Sequence, residues 1–206
     1  MKTLIVSLFI ALSISTFAQT ASDVFVKSEI VWLGLDFSNS KYVGFTETVT
    51  PQEIVSQYFI KWNTLILSEP EKYNLKKSFW KKGVIYDIDF MIKKNLTTSL
   101  DNYNTYSEYY LAENKLDSIV AEYKPNNKSG IGLSFIVESF NKITETASIY
   151  VTFIDLSTNK ILIKEKIYGK AVGFGLRNHW GGAIYKILKQ IEISSYAYWR
   201  SKYFKK

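Results

Sequence analysis

No cysteine occurs among the 206 residues. That absence excludes disulfides, thiolate nucleophiles, Cys-ligated zinc, iron–sulfur clusters and the lipid-anchor cysteine of bacterial lipoproteins. Packing alone must stabilise the fold. Histidine occurs once, at His179, so a Ser-His-Asp triad would have to use it and a histidine metal site would need carboxylate partners. No G-x-S-x-G nucleophile elbow is present. Beyond the first twenty residues no segment approaches the roughly 18 consecutive apolar residues that a spanning helix requires.

The N-terminus carries the one long apolar run, and it is short. Met1-Lys2 precedes LIVSLFIALSI, and STFAQT then places Thr16 and Ala18 three and one residues before an expected cut ahead of Gln19. This is the pattern of a secretory signal peptide over residues 1–18. Removing those 18 of the 206 residues leaves 188 for an exported domain, 19–206, large enough for its own core. The formal charge is +7, and Lys2 is the only charged residue in the leader, leaving +6. A basic, exported protein is expected to meet anionic lipid, acidic polysaccharide or protein, with nucleic acid excluded by the setting. Aromatic residues reach 16%, which implies a stacked core, an adhesive face, or both.

Along the chain, Ile30 to Leu35 is a nearly continuous apolar run and predicts a strand covered on both faces. A polar loop, SNSKYVGFTETV, follows Asp36. Thr50-Pro51-Gln52-Glu53 is a capping box with proline at the first helical position, opening a helix to about residue 67. The apolar residues Ile54, Val55, Tyr58, Phe59, Trp62, Leu65 and Ile66 recur at helical spacing. From Val84 to Lys93 the period switches to two, which predicts a second strand. The tyrosine-rich stretch from Asn95 to Asn114 is expected to wander at the sheet edge. A short helix, 115–123, follows it. GIGLSFIVESF, TASIYVTFIDL and ILIKEKIYGKAV, linked by short polar turns, read as an antiparallel meander. A long helix from about Asn178 closes the chain. Its Ala183, Ile184, Ile187, Leu188 and Ile191 form the apolar stripe.

Four stretches carry candidate chemistry. GKAVGFGLRNHWGGAIYKIL contains five glycines, Arg177, Asn178, His179 and Trp180 at a strand-to-helix junction. It lacks the third glycine of a dinucleotide loop and the Lys-Ser/Thr of a Walker loop. The expected role is to shape backbone, with Gly173 and Gly175 turning the chain and Asn178 capping the helix. Arg177 beside free helix N–H groups could hold an anion, but a salt bridge to Asp36 or Glu138 is expected. Asp87-x-Asp89 would put two carboxylates on one strand face, roughly 7 Å apart at about 3.3 Å per residue. KYNLKKSFWKKG interleaves Lys72, Lys76, Lys77, Lys81 and Lys82 with Tyr73, Phe79 and Trp80, a candidate contact with an anionic or sugar-bearing surface. Tyr103, Tyr106, Tyr109 and Tyr110 could line a groove.

The order strand, helix, strand, meander and helix, together with WLGLDFS, IDLSTNKIL and GKAVGFG, is similar to envelope α/β domains typified by the TolB N-terminal domain and the periplasmic domain of the curli secretion channel CsgG. That group carries a D-x-x-T-G-K-x-L turn. Here Asp155, Thr158, Lys160 and Leu162 match, and Asn159 replaces glycine at a left-handed turn position that asparagine tolerates. The resemblance implies a fold and an envelope or exported setting, not an activity.

The sequence therefore predicts an α/β chain with a mixed sheet and an antiparallel C-terminal meander. One helix at about 51–67 and a long C-terminal helix pack on it. The expected function is non-catalytic, the binding of another protein or an anionic surface component in the periplasm or outside the cell. The binding candidates are Asp36, Arg177, Asn178, His179 and Trp180 at the junction, and Lys76, Lys77, Phe79, Trp80, Lys81 and Lys82 in the connector. The alternatives are a small-ligand pocket beside Arg177 and a hydrolase using Asp36, Asp87, Asp89 or His179. No cofactor or metal is called for.

Overall fold

The computed structural model describes residues 18–44, 49–101 and 103–205, so nearly all of the expected leader lies outside the described residues. A short helix α1 (Asp23–Val26) precedes β1 (Glu29–Asp36) and β2 (Lys41–Val43). Helix α2 spans 51–68, with a π-helical turn at Ile54–Tyr58. Then come α3 (Leu75–Ser78), β3 (Gly83–Tyr86), α4 (Asp89–Leu96) and β4 (Asn104–Thr105). A 3₁₀ turn leads into α5 (Leu116–Ala121), followed by β5 (Ile131–Asn141), β6 (Thr146–Asp155) and β7 (Lys160–Lys170). The closing helix α6 covers 176–203, again with one π-helical turn, at Ile191–Ser195.

The seven strands form one mixed sheet. β5 is its axis. Along one of its sides run β1 and then β2, both parallel to it, with β3 outside β1 and β4 outside β2. On its other side β6 and β7 continue as an antiparallel meander. The turn between β6 and β7 places Asn159 at φ 54°, the left-handed value expected there, while Asp155 accepts hydrogen bonds from the Ser157 N–H (2.9 Å) and Oγ (2.7 Å).

Helices α2 and α6 cover one face. Trp32, Phe135 and Phe153 from the sheet meet Phe59, Trp62 and Trp180 from the helices, all at most 1% exposed. Phe140 and Trp180 stack at 4.5 Å, Phe37 and Phe59 at 4.2 Å. About half of the described aromatic side chains are thus core. Helices α4 and α5 cover the opposite face, setting Met91, Leu116, Val120 and Tyr123 over Val31, Leu33, Ile136 and Ile154. With both faces covered, β1 is buried at every position after Glu29, as a nearly continuous apolar run requires.

The Thr50 capping box forms as its residues dictate. Thr50 Oγ1 accepts from the Glu53 N–H (3.2 Å) and Glu53 Oε2 from the Thr50 N–H (2.9 Å). Three expectations are corrected. The alternation from Val84 to Lys93 is strand only to Tyr86; Asp89–Leu96 is helix and buries Met91 and Asn95 one turn apart. The polar loop after Asp36 contains β2. The closing helix begins at Leu176, with Gly175 rather than Asn178 at the N-cap.

The early end of β3 leaves the C-terminal backbone of β1 without a strand neighbour on that side. Two buried asparagines satisfy it instead. Asn63 of α2 accepts from the Leu35 N–H (2.8 Å), and Asn95 of α4 accepts from the Phe37 N–H (2.8 Å) and donates to the Leu35 carbonyl (2.8 Å). Gly34, at φ 103° in a β1 bulge, makes room: a Cβ there would sit 2.5 Å from Asn63 Oδ1.

Candidate functional site

The glycine-bearing junction between β7 and α6 is built for close approach. Gly173 and Gly175 take φ values of 125° and 76°. A Cβ on Gly182 would lie 1.9 Å from the Val172 carbonyl oxygen, and one on Gly181 would meet Leu65 at 2.8 Å. Each polar side chain there has a structural partner. Arg177 pairs with Glu69 at 3.0 Å, not with Asp36 or Glu138. Asn178 accepts from Arg177 Nη1 at 3.0 Å. His179 Nε2 meets one carboxylate, Glu145 Oε2, which ties the helix start to the β5–β6 hairpin. Lys142, then His179, holds the Glu145 carboxyl below the usual carboxylate range. Trp180 Nε1 donates to the Tyr42 hydroxyl at 3.0 Å. The nearby hollow is shallow and is lined by Tyr42, Lys142, Gly173, Leu176 and His179; Arg177 is not in it.

The acidic candidates do not converge. Asp36 is fully buried and accepts from the Tyr123 hydroxyl and the Ser38 N–H, both at 2.8 Å. Burial, and then the neighbouring Asp36 carboxylate, pushes the Tyr123 hydroxyl well above its ordinary pKa. Asp87 and Asp89 share no strand face. Asp87 follows β3 and is saturated by Asn126 Nδ2 (3.0 Å) and by the Asn127 N–H (2.7 Å) and Nδ2 (2.9 Å), closing that loop, while Asp89 starts α4. Among the described residues no three His, Asp or Glu side chains are placed to hold a metal ion. Nor does any described helix have the length and apolarity to cross a membrane. The tyrosine cluster is also split: Tyr103 is buried, whereas Tyr106 and Tyr110 are exposed.

The basic, aromatic connector divides into an anchored half and a presented half. Asn74 caps α3 by accepting from the Lys77 N–H at 2.9 Å. Tyr73, Leu75 and Phe79 turn inward, and Phe79 packs edge-on to Phe153 at 5.5 Å. Lys81 is buried too, which its lysine-rich neighbourhood gave no reason to expect. Its ammonium donates to the carbonyl oxygens of Val24 and of Lys27 (2.8 Å), holding α1 to the connector. Burial pushes its pKa down to about 8.

Trp80 is presented. It adopts φ 50°, a conformation that costs a bulky residue energy, and remains 51% exposed with its ring 5.3 Å from that of Tyr196. Lys76, Lys77 and Lys82 stand exposed around it, with Lys77 pairing Glu192 at 3.0 Å. Of the six connector candidates, four therefore form a surface and two, Phe79 and Lys81, support it from beneath. The part that α1 plays at this face has no local sequence signal, since only tertiary packing brings Phe25 and Val24 to Tyr196.

No family model matches the chain, and no curated protein does. Among solved structures, the hypothetical protein CT253 from Chlamydia trachomatis matches at 9% identity, covering 85% of this chain and 99% of that one, with a TM-score of 0.37. A likeness at that level bears on neither fold nor function here.

Proposed function

We propose that the protein is an exported, non-catalytic binding protein that holds an anionic component of the cell envelope through the face centred on Trp80. The observation that carries this reading is Trp80 itself, half-exposed at a left-handed backbone position between Lys76, Lys77 and Lys82. Strain at a bulky residue persists only where the surroundings over-determine it, and such positions concentrate at functional sites. Supporting the non-catalytic part, the lone imidazole meets a single carboxylate already bound by Lys142, and Asp36 is sealed beneath Tyr123. The apolar leader pattern of residues 1–18 supports export.

The test is charge reversal at the exposed lysines alone. Lys76→Glu, Lys77→Glu and Lys82→Glu together should weaken retention on an acidic column matrix at least tenfold, while the far-UV spectrum stays unchanged. Retention equal to wild type would sink the proposal. Lys81 is left out, because a carboxylate there would be buried against two carbonyl oxygens.

A further inference from the structure

We infer that the anionic partner of the Trp80 face is a lipid bilayer surface, into whose headgroup region Trp80 inserts. This rests on the reading of that face as an anion-binding surface, and it adds an apolar wedge to the charge. Three chain segments meet at Tyr196. The Trp80 and Phe25 rings each lie 5.3 Å from it, and its hydroxyl donates to the Val24 carbonyl at 3.1 Å. On the three segments that meet there, three apolar side chains face solvent: Trp80 at 51%, Val26 at 65% and Ile193, one turn before Tyr196 on α6, at 78%.

The segments that meet here carry the exposed cations Lys27, Lys76, Lys77, Lys82 and Arg200, and the carboxylates Asp23, Glu29 and Glu192. Two of those three acids are already engaged. Glu192 is held by Lys77 and Lys189, and Asp23 accepts from the Thr20 N–H and hydroxyl. Lys27, Lys76 and Lys82 form no ion pair among the described residues.

An acidic polymer would need only the lysines. The exposed apolar trio set among them matches a membrane interface, where an amphipathic tryptophan sits at headgroup depth and basic residues meet anionic lipid. The buried half of the connector makes the wedge stiff. Phe79 is locked in the core and Lys81 ties the Val26-bearing helix to the backbone beside Trp80.

The molecule carries its own probe. Of five tryptophans, Trp32, Trp62 and Trp180 are fully buried and Trp199 is 4% exposed, so Trp80 alone can meet lipid. The purified chain is mixed with vesicles of phosphatidylglycerol in phosphatidylcholine, some carrying brominated acyl chains. Dextran sulfate and polyglutamate serve as bilayer-free polyanions.

The expected result is a blue shift and bromine quenching of tryptophan emission, both abolished by Trp80→Phe. Trp80→Gly, which suits the left-handed position, should weaken co-sedimentation with vesicles about tenfold. The triple lysine reversal should weaken it a hundredfold or more, at a factor of about five per cation lost. Vesicle binding without quenching, or undiminished in Trp80→Gly, overturns the bilayer inference and leaves the anion-binding reading standing. So does binding to the soluble polyanions but not to vesicles. Indifference of vesicles and polyanions alike to the lysine reversal overturns both.

Discussion

Lys81 and Trp80 are adjacent and face opposite fates, and each makes a separate prediction. Lys81 has a pKa of about 8 in the folded chain against 10.5 as its ordinary value. The unfolded state therefore binds more protons between those limits, and stability attributable to Lys81 rises with pH across that window and is constant on either side of it. Urea midpoints of wild type measured against Lys81→Met should show the wild-type curve gaining on the variant from pH 8 to 10.5; parallel curves would contradict the buried ammonium. At Trp80 the backbone and the ring make separable contributions. Trp80→Ala loses the Tyr196 contact and keeps the left-handed strain, whereas Trp80→Gly loses the contact and relieves the strain. The glycine variant should be the more stable of the two by about 1 kcal/mol, measured by thermal denaturation.

Among the elements, the β7–α6 junction gives the sharpest contrast. Gly182→Ala would push a methyl into the Val172 carbonyl, a backbone atom that cannot step aside, so α6 must shift. A loss of about 3 kcal/mol is expected in chemical denaturation. Gly175→Ala meets no atom within 4 Å and pays only for its backbone, φ 76° with ψ 150°, about 2 kcal/mol. Near-equal losses would mean that conformation and not space selects these glycines. This junction was legible beforehand because glycine spacing carries its own steric reason, as were the Thr50 cap and the meander, whose signals are local. The alternation from Val84 to Lys93 misled because Met91 and Asn95 also share a helical face, and the choice between periods was made by a distant need: unsatisfied backbone at Leu35 and Phe37 recruits Asn95. The same limit hid Lys81, whose burial depends on α1 folding back across the connector. In the candidate site, residue types announced a basic and aromatic surface, but which of them face outward was decided by packing on Tyr196.

Across the whole molecule, β5 joins the two apolar layers. Leu133, Phe135 and Val137 enter the layer under α2 and α6, while Ile136 enters the one under α4 and α5. Neither layer can be lost without exposing the other's strand. Near-UV and far-UV unfolding curves should coincide, and Phe135→Ala should lower both by about 3–5 kcal/mol.

Among the described residues β7 has one strand neighbour, so its other edge offers an eleven-residue template. Antiparallel pairing of two copies centred on Glu165 would set Lys160 against Lys170 and Lys164 against Lys166, cation facing cation along the seam. The lysine spacing thus acts as a lock against fibril growth. Erasing it with threonines at 160 and 170, while sparing the Lys164 and Lys166 paired to carboxylates, should turn a dispersed protein into one that seeds ribbons on standing.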